Sequence, residues 1–474
     1  MKPLRLYNSD GREMQPFTPL KEGMVGLYCC GPTVYNYAHI GNLRAYTHWD
    51  ILRRTLERFG YAVNHVMNIT DVGHLTDDGD EGEDKMIKGA RERGMTVWEI
   101  AQFFTDAFFR DISRLNIKEP TVSCKATEHI ADMIGLVERL EKNGFSYLSG
   151  GNLYFDSTKL ADYGRLALLD RQELQHGARV EVDENKKHPL DFVLWFTRSK
   201  FQNQAMTWDS PWGRGYPGWH LECSAMSSKY LGEHFDIHTG GVDHIPVHHT
   251  NEIAQSEGAF GHKWVNYWVH NEFLIMKSGK MSKSKGGFLT LQSLVDDGYD
   301  PLDYRYFLLG GHYRSQLIFS VESLDAARSA RKSLMGRLTA FRRDVGDTPI
   351  PQSSDLGDSV RARLDAFNEA LGEDLNTPRA LAEVWGLVKD DALPPAERLA
   401  ALLDMDGVLG LKLDEAGQED AAGSVDEELA DLLRRRDEAR NAKDWAAADE
   451  IRDELASLGW KVVDTPDGPR LEKA

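Results

Sequence analysis

Near the N-terminus, the apolar residues first form a short continuous run and then recur with helical spacing. Gly26–Cys30 is a short apolar run that ends in a Gly31-Pro32 turn. Beyond the turn, apolar residues recur at three- and four-residue steps, which is helical spacing, at Leu43, Tyr46, Trp49, Leu52, Leu56 and Phe59. Gly60 suits the end of that helix, and Tyr61–Asn68 is a second short apolar run. The pattern predicts a βαβ unit, which implies a right-handed crossover and a parallel sheet.

The rest of the chain divides by its patterns. Helical spacing gives way to short strands rich in Gly and Asp over residues 97–212, which predicts an inserted domain. Strand-like runs resume at Phe235–His238 and Tyr267–Val269. From about Ser320 the chain is helical and charged, and it ends in two helical runs and a hairpin whose turn is Thr465–Gly468.

The composition narrows the class of protein. The 474 residues are 41% hydrophobic and 28% charged, which is typical of a globular protein of several domains. A net charge of −19 argues against a general nucleic-acid binder, so a bound polyanion would need a local basic face. Four cysteines are too few for a disulfide scaffold and favour a reducing compartment. No long apolar run or secretory leader is present, which predicts a cytoplasmic protein that does not enter a membrane.

The segment His39–Asn42 stands where the first long helix should begin. A helix N-terminus presents unpaired N–H groups and partial positive charge, which favours phosphate. Asn42 is a suitable N-cap, Gly41 allows a flat ring to approach the backbone, and His39 can donate a hydrogen bond to a phosphate. Taken alone, the segment is equally well interpreted as a capped helix with a surface histidine.

A second candidate segment is the lysine loop, which we define as Lys280, Met281, Ser282, Lys283 and Ser284. Flanking glycines at 279, 286 and 287 would let it move, and its two lysines offer point charges for phosphates. The alternative is a solvated basic loop, which becomes less attractive because both segments occur in one chain with an insertion between them.

Together the two segments resemble the ATP signatures of the class I aminoacyl-tRNA synthetases, HIGH and KMSKS. The resemblance implies a catalytic role for His39, Asn42, Lys280 and Lys283, which would hold the phosphates and stabilise charge on departing pyrophosphate. It also implies that ATP, with Mg²⁺, contacts Thr33, His39, Gly41, Asn42, Asp243, Lys280, Met281, Ser282, Lys283 and Ser284. Asp243 would hold the ribose.

Three further motifs contain candidate metal ligands: Cys30–Tyr35, Trp219–Met226, and His248–Glu252 after Gly240–Asp243. Spacing alone favours nothing more than buried cysteines and a helix-surface pair. The combination, however, resembles the cysteinyl-tRNA synthetases along nearly the whole chain. The resemblance implies one zinc ion bound by Cys30, Cys223, His248 and Glu252, and a cysteine pocket formed by Gly31, Thr70 and Trp219.

Zinc has a physical role in this resemblance. Cysteine and serine differ by one atom, and a pocket separates such near-isosteres by only about 1–3 kcal/mol. Zinc binds a thiolate far better than an alcohol, so it can discriminate without an editing domain. Glu252 is the candidate for a weak ligand that yields to the substrate sulfur. Thr250 and the segment His244–Val247 depart from the usual family pattern, and an additional Cys29 precedes Cys30.

The C-terminal helices carry the positive charge that an acidic protein would need for RNA. The resemblance implies that the tRNA anticodon contacts Arg440, Trp445, Asp449 and Asp464, with Trp445 stacking on an unpaired base. The alternative is an ordinary amphipathic helix whose tryptophan packs inside.

We therefore predict an α/β fold: a Rossmann-like catalytic domain at residues 1–310 with a connective insertion at about 97–212, a helical stem and bundle at 311–415, and a small α+β anticodon-binding domain at 424–474. The expected partners are tRNA(Cys), L-cysteine and ATP, for a monomer without membrane contact. Two alternatives are a ligase that joins activated cysteine to an amino sugar in mycothiol synthesis and a non-catalytic tRNA-binding paralogue. The C-terminal tail argues against the first, and the lysine loop with a full ligand set argues against the second.

Overall fold

The structure is a computed structural model that describes residues 3–72, 89–91, 93–168, 184–198, 206–277, 289–346, 348–417, 429, 431–436, 439–440, 444–457, 460–465 and 468–473. The strands are β1 (Arg5–Asn8), β2 (Glu13–Pro16), β3 (Met24–Cys29), β4 (Ala62–Ile69), β5 (Val122–Lys125), β6 (Ser146–Ser149), β7 (Asn152–Phe155), β8 (Phe192–Phe196), β9 (Tyr216–Pro217), β10 (Phe235–Gly241), β11 (Val265–Asn271), β12 (Leu274–Met276), β13 (Leu317–Phe319), β14 (Trp460–Thr465) and β15 (Gly468–Lys473). The α-helices are α1 (Ile40–Arg58), α2 (Val97–Arg114), α3 (Ile130–Lys142), α4 (His220–Leu231), α5 (His248–Phe260), α6 (Leu291–Asp296), α7 (Pro301–Leu309), α8 (Val321–Val345), α9 (Asp358–Gly372), α10 (Thr377–Lys389), α11 (Pro395–Leu409) and α12 (Trp445–Ser457).

Five parallel strands form the central sheet in the order β11-β10-β3-β4-β5. The chain builds the sheet from β3 to β5 on one side, and then from β10 to β11 on the other. The direction of winding therefore reverses between β3 and β10, which pair from Leu27 with Ile237 to Cys29 with Thr239. A crevice opens beyond the carboxyl ends of two such strands, because their crossovers leave in opposite directions. This order confirms the predicted α/β fold and puts the crevice beside Cys30.

Helix α1 confirms the predicted periodicity, and its start corrects one prediction. Leu43, Leu52 and Leu56 are completely buried. The N-cap is His39, whose Nδ1 accepts a hydrogen bond from Asn42 N–H at 3.1 Å, while Asn42 Oδ1 accepts one from His39 N–H at 3.2 Å. The prediction that Asn42 caps the helix is wrong, because the imidazole nitrogen takes the role of a capping oxygen and Asn42 completes the reciprocal pair.

An antiparallel sheet of four strands, in the order β6-β7-β8-β9, separates the two halves of the parallel sheet along the chain. The sequence suggested that the insertion starts near residue 97. In the structure, α2 leads into β5, which pairs with β4 from Val66 with Val122 to Ile69 with Lys125. The α2–β5 segment therefore continues the parallel unit, and the antiparallel strands begin only at β6. Periodicity alone could not separate a crossover helix from the first helix of an insertion.

The helices α8 to α11 form a bundle that contacts α1 and the end of α2. Arg58 Nη2 lies 2.6 Å from Asp404 Oδ2, and Asn116 Nδ2 donates to the Gly410 carbonyl at 2.9 Å. The completely buried Arg305 donates to the Leu409 carbonyl at 2.6 Å. Within the described parts of the chain, no helix combines the length and apolar character that crossing a bilayer requires.

Candidate metal and nucleotide site

Two thiols, an imidazole and a carboxylate converge beside the crevice. Cys30 follows β3, Cys223 lies in the first turn of α4, and His248 and Glu252 are one turn apart at the start of α5. One ligand atom from each of the four side chains lies within 4.8 Å of all the others. His248 Nε2 is 2.7 Å from Glu252 Oε1 and 3.7 Å from Cys223 Sγ. The tertiary fold thus brings together the four residues that the family resemblance implied as zinc ligands.

The charges within this cluster favour cation binding. Burial would raise the pKa of Glu252, but His238 and His248 outweigh it and lower the pKa, so the carboxylate stays ionised. Burial would likewise raise the pKa of the Cys30 thiol, but a hydrogen bond from Cys223 and the charge of His249 lower it. Burial and the neighbouring Cys30 raise the pKa of Cys223. The pair therefore favours one thiolate, on Cys30, opposite an ionised carboxylate.

Three buried histidines, His238, His249 and His270, adjoin the cluster, and the sequence analysis did not assign them a role. We call these three residues the histidine wall. His238 Nε2 lies 2.8 Å from Glu252 Oε2, and His249 Nε2 lies 3.3 Å from Cys30 Sγ. His249 Nδ1 in turn lies 2.8 Å from His270 Nε2. Cys30, His238, His249 and Glu252 also have ligand atoms within 4.8 Å of one another, and all four are buried. The available signal was one histidine in each of two strand-like runs, at His238 in β10 and His270 in β11.

The two candidate ligand sets differ in how they can be reached. His238 and His249 are completely buried, whereas 22% of the His248 side chain is exposed. A substrate atom can therefore approach the set that contains His248, while the second set is closed. Because a site that receives a substrate needs an open position, the set with His248 is the better candidate for a functional metal.

A cavity of about 530 Å³ lies over the crevice, and the five predicted nucleotide residues that fall within the described part of the chain all line it. The lining includes Thr33, His39, Gly41, Asn42 and Asp243, together with Cys30 and Gly31. Burial lowers the pKa of His39, although the charge of Asp243 acts against this. The imidazole is therefore neutral near pH 7. Because its Nδ1 accepts the hydrogen bond of the helix cap, the neutral ring carries its proton on Nε2.

The lysine loop, Lys280–Ser284, lies outside the described residues, but the chain on either side of it borders the cavity. On one side, Leu274 lines the cavity and β12 pairs with β13. On the other, Ile40 N–H donates to the Leu289 carbonyl at 2.9 Å, and His39 forms a β-bridge with Thr290. The described residues that follow the loop, Leu289 and Thr290, therefore lie beside the start of α1.

The predicted cysteine-pocket residues take different positions. Gly31 lines the cavity, and a Cβ atom there would lie 1.5 Å from the Asn68 carbonyl oxygen, so no other residue fits. Thr70 is buried, and its hydroxyl donates to Glu222 Oε1 at 2.7 Å. Burial raises the pKa of Glu222 to about 8 despite this bond. Trp219 stands just before α4 and packs against the antiparallel sheet. Thr70 and Trp219 are not part of the cavity lining.

Asn68 and Glu222 connect the segments that carry the site, and the sequence analysis did not single them out. Asn68 Oδ1 accepts from Gly31 N–H at 2.7 Å, and Asn68 Nδ2 donates to Glu222 Oε1 at 3.3 Å. The ends of β3 and β4 are thereby tied to the start of α4. The available signal was position: Glu222 lies within the motif Trp219–Met226, next to Cys223, and Asn68 lies two residues before Thr70.

The C-terminal candidates are spread over a small separate unit. Trp445, the first residue of α12, is 59% exposed, so the alternative in which it packs inside is wrong. Asp449 pairs with Arg452 at 2.8 Å, and Arg440 is half-buried. Asp464 lies on β14 opposite Pro469, in the predicted hairpin. An exposed indole is available for stacking on an unpaired base.

Two family descriptions match the chain. The family described as tRNA synthetases class I (C) catalytic domain matches residues 16–329. The family described as cysteinyl-tRNA ligase anticodon binding domain matches residues 422–468. The first match spans the parallel sheet, the antiparallel sheet and the candidate ligands, and the second spans α12 and β14.

Relatives of known name match along nearly the whole length. A cysteine–tRNA ligase of Treponema denticola is 53% identical over 475 residues, with 96% of each chain covered. Cysteine–tRNA ligase 1 of Burkholderia lata is 52% identical, covering 99% of this chain and 97% of its own. Among solved structures, a methionyl-tRNA synthetase of Mycobacterium tuberculosis bound by methionyl-adenylate has a TM-score of 0.57 at 17% identity, covering 90% of this chain and 96% of its own, which is evidence for the fold alone.

Proposed function

Because this chain belongs to the cysteine–tRNA ligase family of class I tRNA synthetases, we propose that it activates L-cysteine with ATP and transfers the cysteinyl group to tRNA(Cys), with a zinc ion selecting the substrate thiolate. Membership in the family makes the chain a ligase, and its class uses ATP. The zinc ion, the Mg²⁺ that accompanies ATP and the individual residue roles belong to the proposal.

The main support is the convergence of Cys30, Cys223, His248 and Glu252 beside the nucleotide cavity. The donor set fits zinc, a borderline-soft ion that prefers thiolates and imidazoles and accepts a carboxylate. The lowered pKa values of Cys30 and Glu252 supply the negative charge that a dication needs. When bound there, zinc would favour a thiolate over an alcohol and so distinguish cysteine from serine.

Cys30 connects amino-acid selection to adenylate formation. It is both a candidate ligand and part of the cavity lining, while His39 and Asn42 line the same cavity. A substrate whose sulfur lies at Cys30 would therefore extend its carboxylate toward the start of α1. Glu252 is less suited to yield its place than the sequence analysis supposed, because it is completely buried and lies 2.8 Å from His238.

In the first reaction, a carboxylate oxygen of cysteine attacks the α-phosphorus of ATP, and the bond from that phosphorus to the bridging oxygen breaks as pyrophosphate leaves. Charge builds on the phosphates, so positioning and electrostatics supply the catalysis. The start of α1 offers its helix dipole and the neutral His39 ring, and Asp243 would accept hydrogen bonds from the ribose. Lys280 and Lys283 would add positive charge, and the chain that follows them returns to the start of α1, where Ile40 N–H donates to the Leu289 carbonyl.

In the second reaction, a hydroxyl of the terminal ribose of tRNA attacks the acyl carbon, forming an ester as AMP leaves with the bonding electrons. The C-terminal unit would hold the anticodon, through Arg440, the exposed Trp445, Asp449 and Asp464. This assignment is supported by the match of residues 422–468 to an anticodon-binding family.

Cysteine-dependent exchange of pyrophosphate into ATP, followed by charging of tRNA(Cys), tests the proposal. We expect both activities, with serine far less effective than cysteine. A chain without exchange would be a non-catalytic paralogue, and exchange without charging would point to a cysteine ligase with another acceptor, such as an amino sugar.

The zinc assignment has its own test in Cys223→Ser, with Cys124→Ser as the matched control. Cys124 is a buried thiol that donates to the Met67 carbonyl and lies outside the four-residue set. We expect zinc content and preference for cysteine over serine to fall in Cys223→Ser only. Unchanged zinc and unchanged discrimination in that variant would refute the assignment.

A further inference from the structure

An exposed aromatic group stands at the mouth of the nucleotide cavity. Tyr37 and Phe104 line the cavity, and the ring of Phe103 contacts both of theirs. The Tyr37 ring centroid lies 5.1 Å from that of Phe104 and 6.0 Å from that of Phe103. Phe104 is buried, whereas Tyr37 is 37% and Phe103 39% exposed. The group therefore extends from inside the cavity to the surface, and two of its rings retain free faces or edges.

Arg93 lies over this aromatic group. Its guanidinium carbon is 5.2 Å from the ring centroid of Phe104, 5.7 Å from that of Phe103 and 6.0 Å from that of Tyr37. The residue is exposed, and among the described residues no carboxylate lies within ion-pair distance of it. The exposed carboxylates of the first turns of α2 are engaged locally, Glu99 with Thr96 and Asp106 with Gln102. A positive charge is thus held at the cavity mouth of a chain with a net charge of −19.

Aromatic rings beside an exposed arginine are suited to single-stranded nucleic acid. Every base has a flat face that stacks on an aromatic ring, and a guanidinium binds the neighbouring phosphate. The ATP contacts proposed above, at Thr33, His39, Asn42 and Asp243, line the same cavity and do not use Tyr37, Phe103 or Arg93. The unpaired 3′ end of tRNA must pass the mouth, since its terminal ribose has to reach an adenylate held inside.

We infer that Tyr37, Phe103 and Arg93 form a docking surface for the unpaired 3′ end of tRNA, on which a base stacks against the rings and a phosphate binds the guanidinium. The inference rests on the proposed function. It adds a second tRNA contact, far along the chain from the C-terminal unit, that would act on the transfer reaction and not on adenylate formation.

The test is transfer of cysteine from preformed adenylate to tRNA(Cys) in a single turnover, over a range of tRNA concentrations, in Phe103→Ala and Arg93→Gln. We expect the second-order rate of transfer, divided by the pyrophosphate-exchange rate of the same variant, to fall by about 5- to 100-fold in Phe103→Ala, the range for loss of one stacked base. Arg93→Gln should also reduce the salt dependence of tRNA affinity, by about 0.7 in the slope of log K against log salt.

Two matched controls lie on α2. Trp98→Ala removes an aromatic ring that is 52% exposed but outside the cavity lining. Arg110→Gln removes an exposed arginine that lies seven residues beyond Phe103 on the same helix. Both should keep the wild-type ratio of transfer to exchange and the wild-type salt slope. Thermal unfolding of each variant shows whether the fold is intact.

A truncated tRNA provides a second, independent measurement. Removing the unpaired 3′ nucleotides should weaken binding to the wild type but have little further effect on Phe103→Ala, because both changes remove the same contact. Additive losses would overturn the inference, as would a raised KM for ATP without a change in transfer, which would assign the rings to ATP. If the wild type shows no exchange, the proposed function fails; if it charges tRNA and Phe103→Ala behaves like Trp98→Ala, only the inference fails.

Discussion

The buried carboxylate of Asp50 allows a stability prediction that the structure makes quantitative. Asp50 Oδ2 lies 2.6 Å from Arg305 Nη2 and 2.8 Å from Arg54 Nε, and Asp50 Oδ1 accepts from Lys118 N–H at 3.0 Å. The side chains of Asp50 and Arg305 are completely buried, and that of Arg54 is 8% exposed. Both arginines also donate to carbonyls of the end of the bundle, so Asp50 balances the charges at the contact between α1 and the bundle.

Asp50→Asn should be strongly destabilising although it keeps the shape of the side chain. It removes the charge that offsets two buried guanidinium groups, and breaking a buried pair on one side costs about 3–5 kcal/mol. The amide also cannot satisfy both sets of neighbours, because all of them are hydrogen-bond donors. If its oxygen faces the arginines, its NH₂ group faces the Lys118 N–H. In the reverse orientation, the NH₂ group faces the two guanidinium groups. For a unit of this size we expect the unfolding midpoint to fall by about 10 °C in differential scanning calorimetry.

Glu57→Gln is the matched control, because Glu57 lies on the same helix and also contacts two cations. Arg53 Nε is 3.0 Å and Lys118 Nζ 2.5 Å from its carboxylate, but 28% of the Glu57 side chain is exposed. A solvated pair of this kind contributes about 0–1 kcal/mol, so the midpoint should move little. Equal shifts in Asp50→Asn and Glu57→Gln would refute the reasoning, since the two sites differ mainly in burial.

The sign of the pH dependence follows from the same contacts. Burial would raise the pKa of Asp50, but Arg305 and Arg54 outweigh it and lower the pKa below 3.8. A depressed pKa in the folded state means that the stabilisation is fully present above the pKa of the unfolded chain, about 3.9, and is lost as the pH falls through the folded value. The difference in midpoint between wild type and Asp50→Asn should therefore be constant above about pH 5 and shrink in acid.

Three further predictions concern the site. Gly31→Ala should reduce cysteine-dependent exchange by about 100-fold, because its methyl group would lie 1.5 Å from the Asn68 carbonyl oxygen and push the end of β3 away from β4. The control is Gly135→Ala on α3, where the added methyl group meets open space and exchange should be unchanged. Glu252→Gln should lower the zinc content measured by atomic absorption, because an amide is a poor zinc ligand; full zinc occupancy would exclude Glu252 as a ligand. Trp445→Ala should raise the KM for tRNA by about 5- to 100-fold relative to exchange without changing the unfolding midpoint, because the indole is 59% exposed, and an unchanged KM would contradict its stacking role.

Local patterns predicted the elements well. The strand–helix–strand unit from β3 to β4, the strands at β10 and β11, the helix that puts His248 and Glu252 on one face, and the terminal hairpin all follow from periodicity and turn residues. The main local error, the identity of the α1 cap, arose because an imidazole nitrogen can replace the usual capping oxygen. Domain boundaries stay predictions, since α2 has the same apolar pattern whether it crosses over to β5 or opens an insertion.

Sequence by itself determined which residues are chemically able to act: two cysteines, a His–Glu pair one helical turn apart, a histidine two residues before Gly41, and a tryptophan near several arginines in the C-terminal helices. Only the tertiary structure decided that they meet. Cys30 and Cys223 come within 4.8 Å because the strand order reverses between β3 and β10, which brings the chain after β3 beside the starts of α4 and α5. Side-chain spacing reports contacts within a few residues, whereas long-range contacts depend on strand order and crossovers. The histidine wall, the Asn68–Glu222 link and the rings around Arg93 are likewise products of packing.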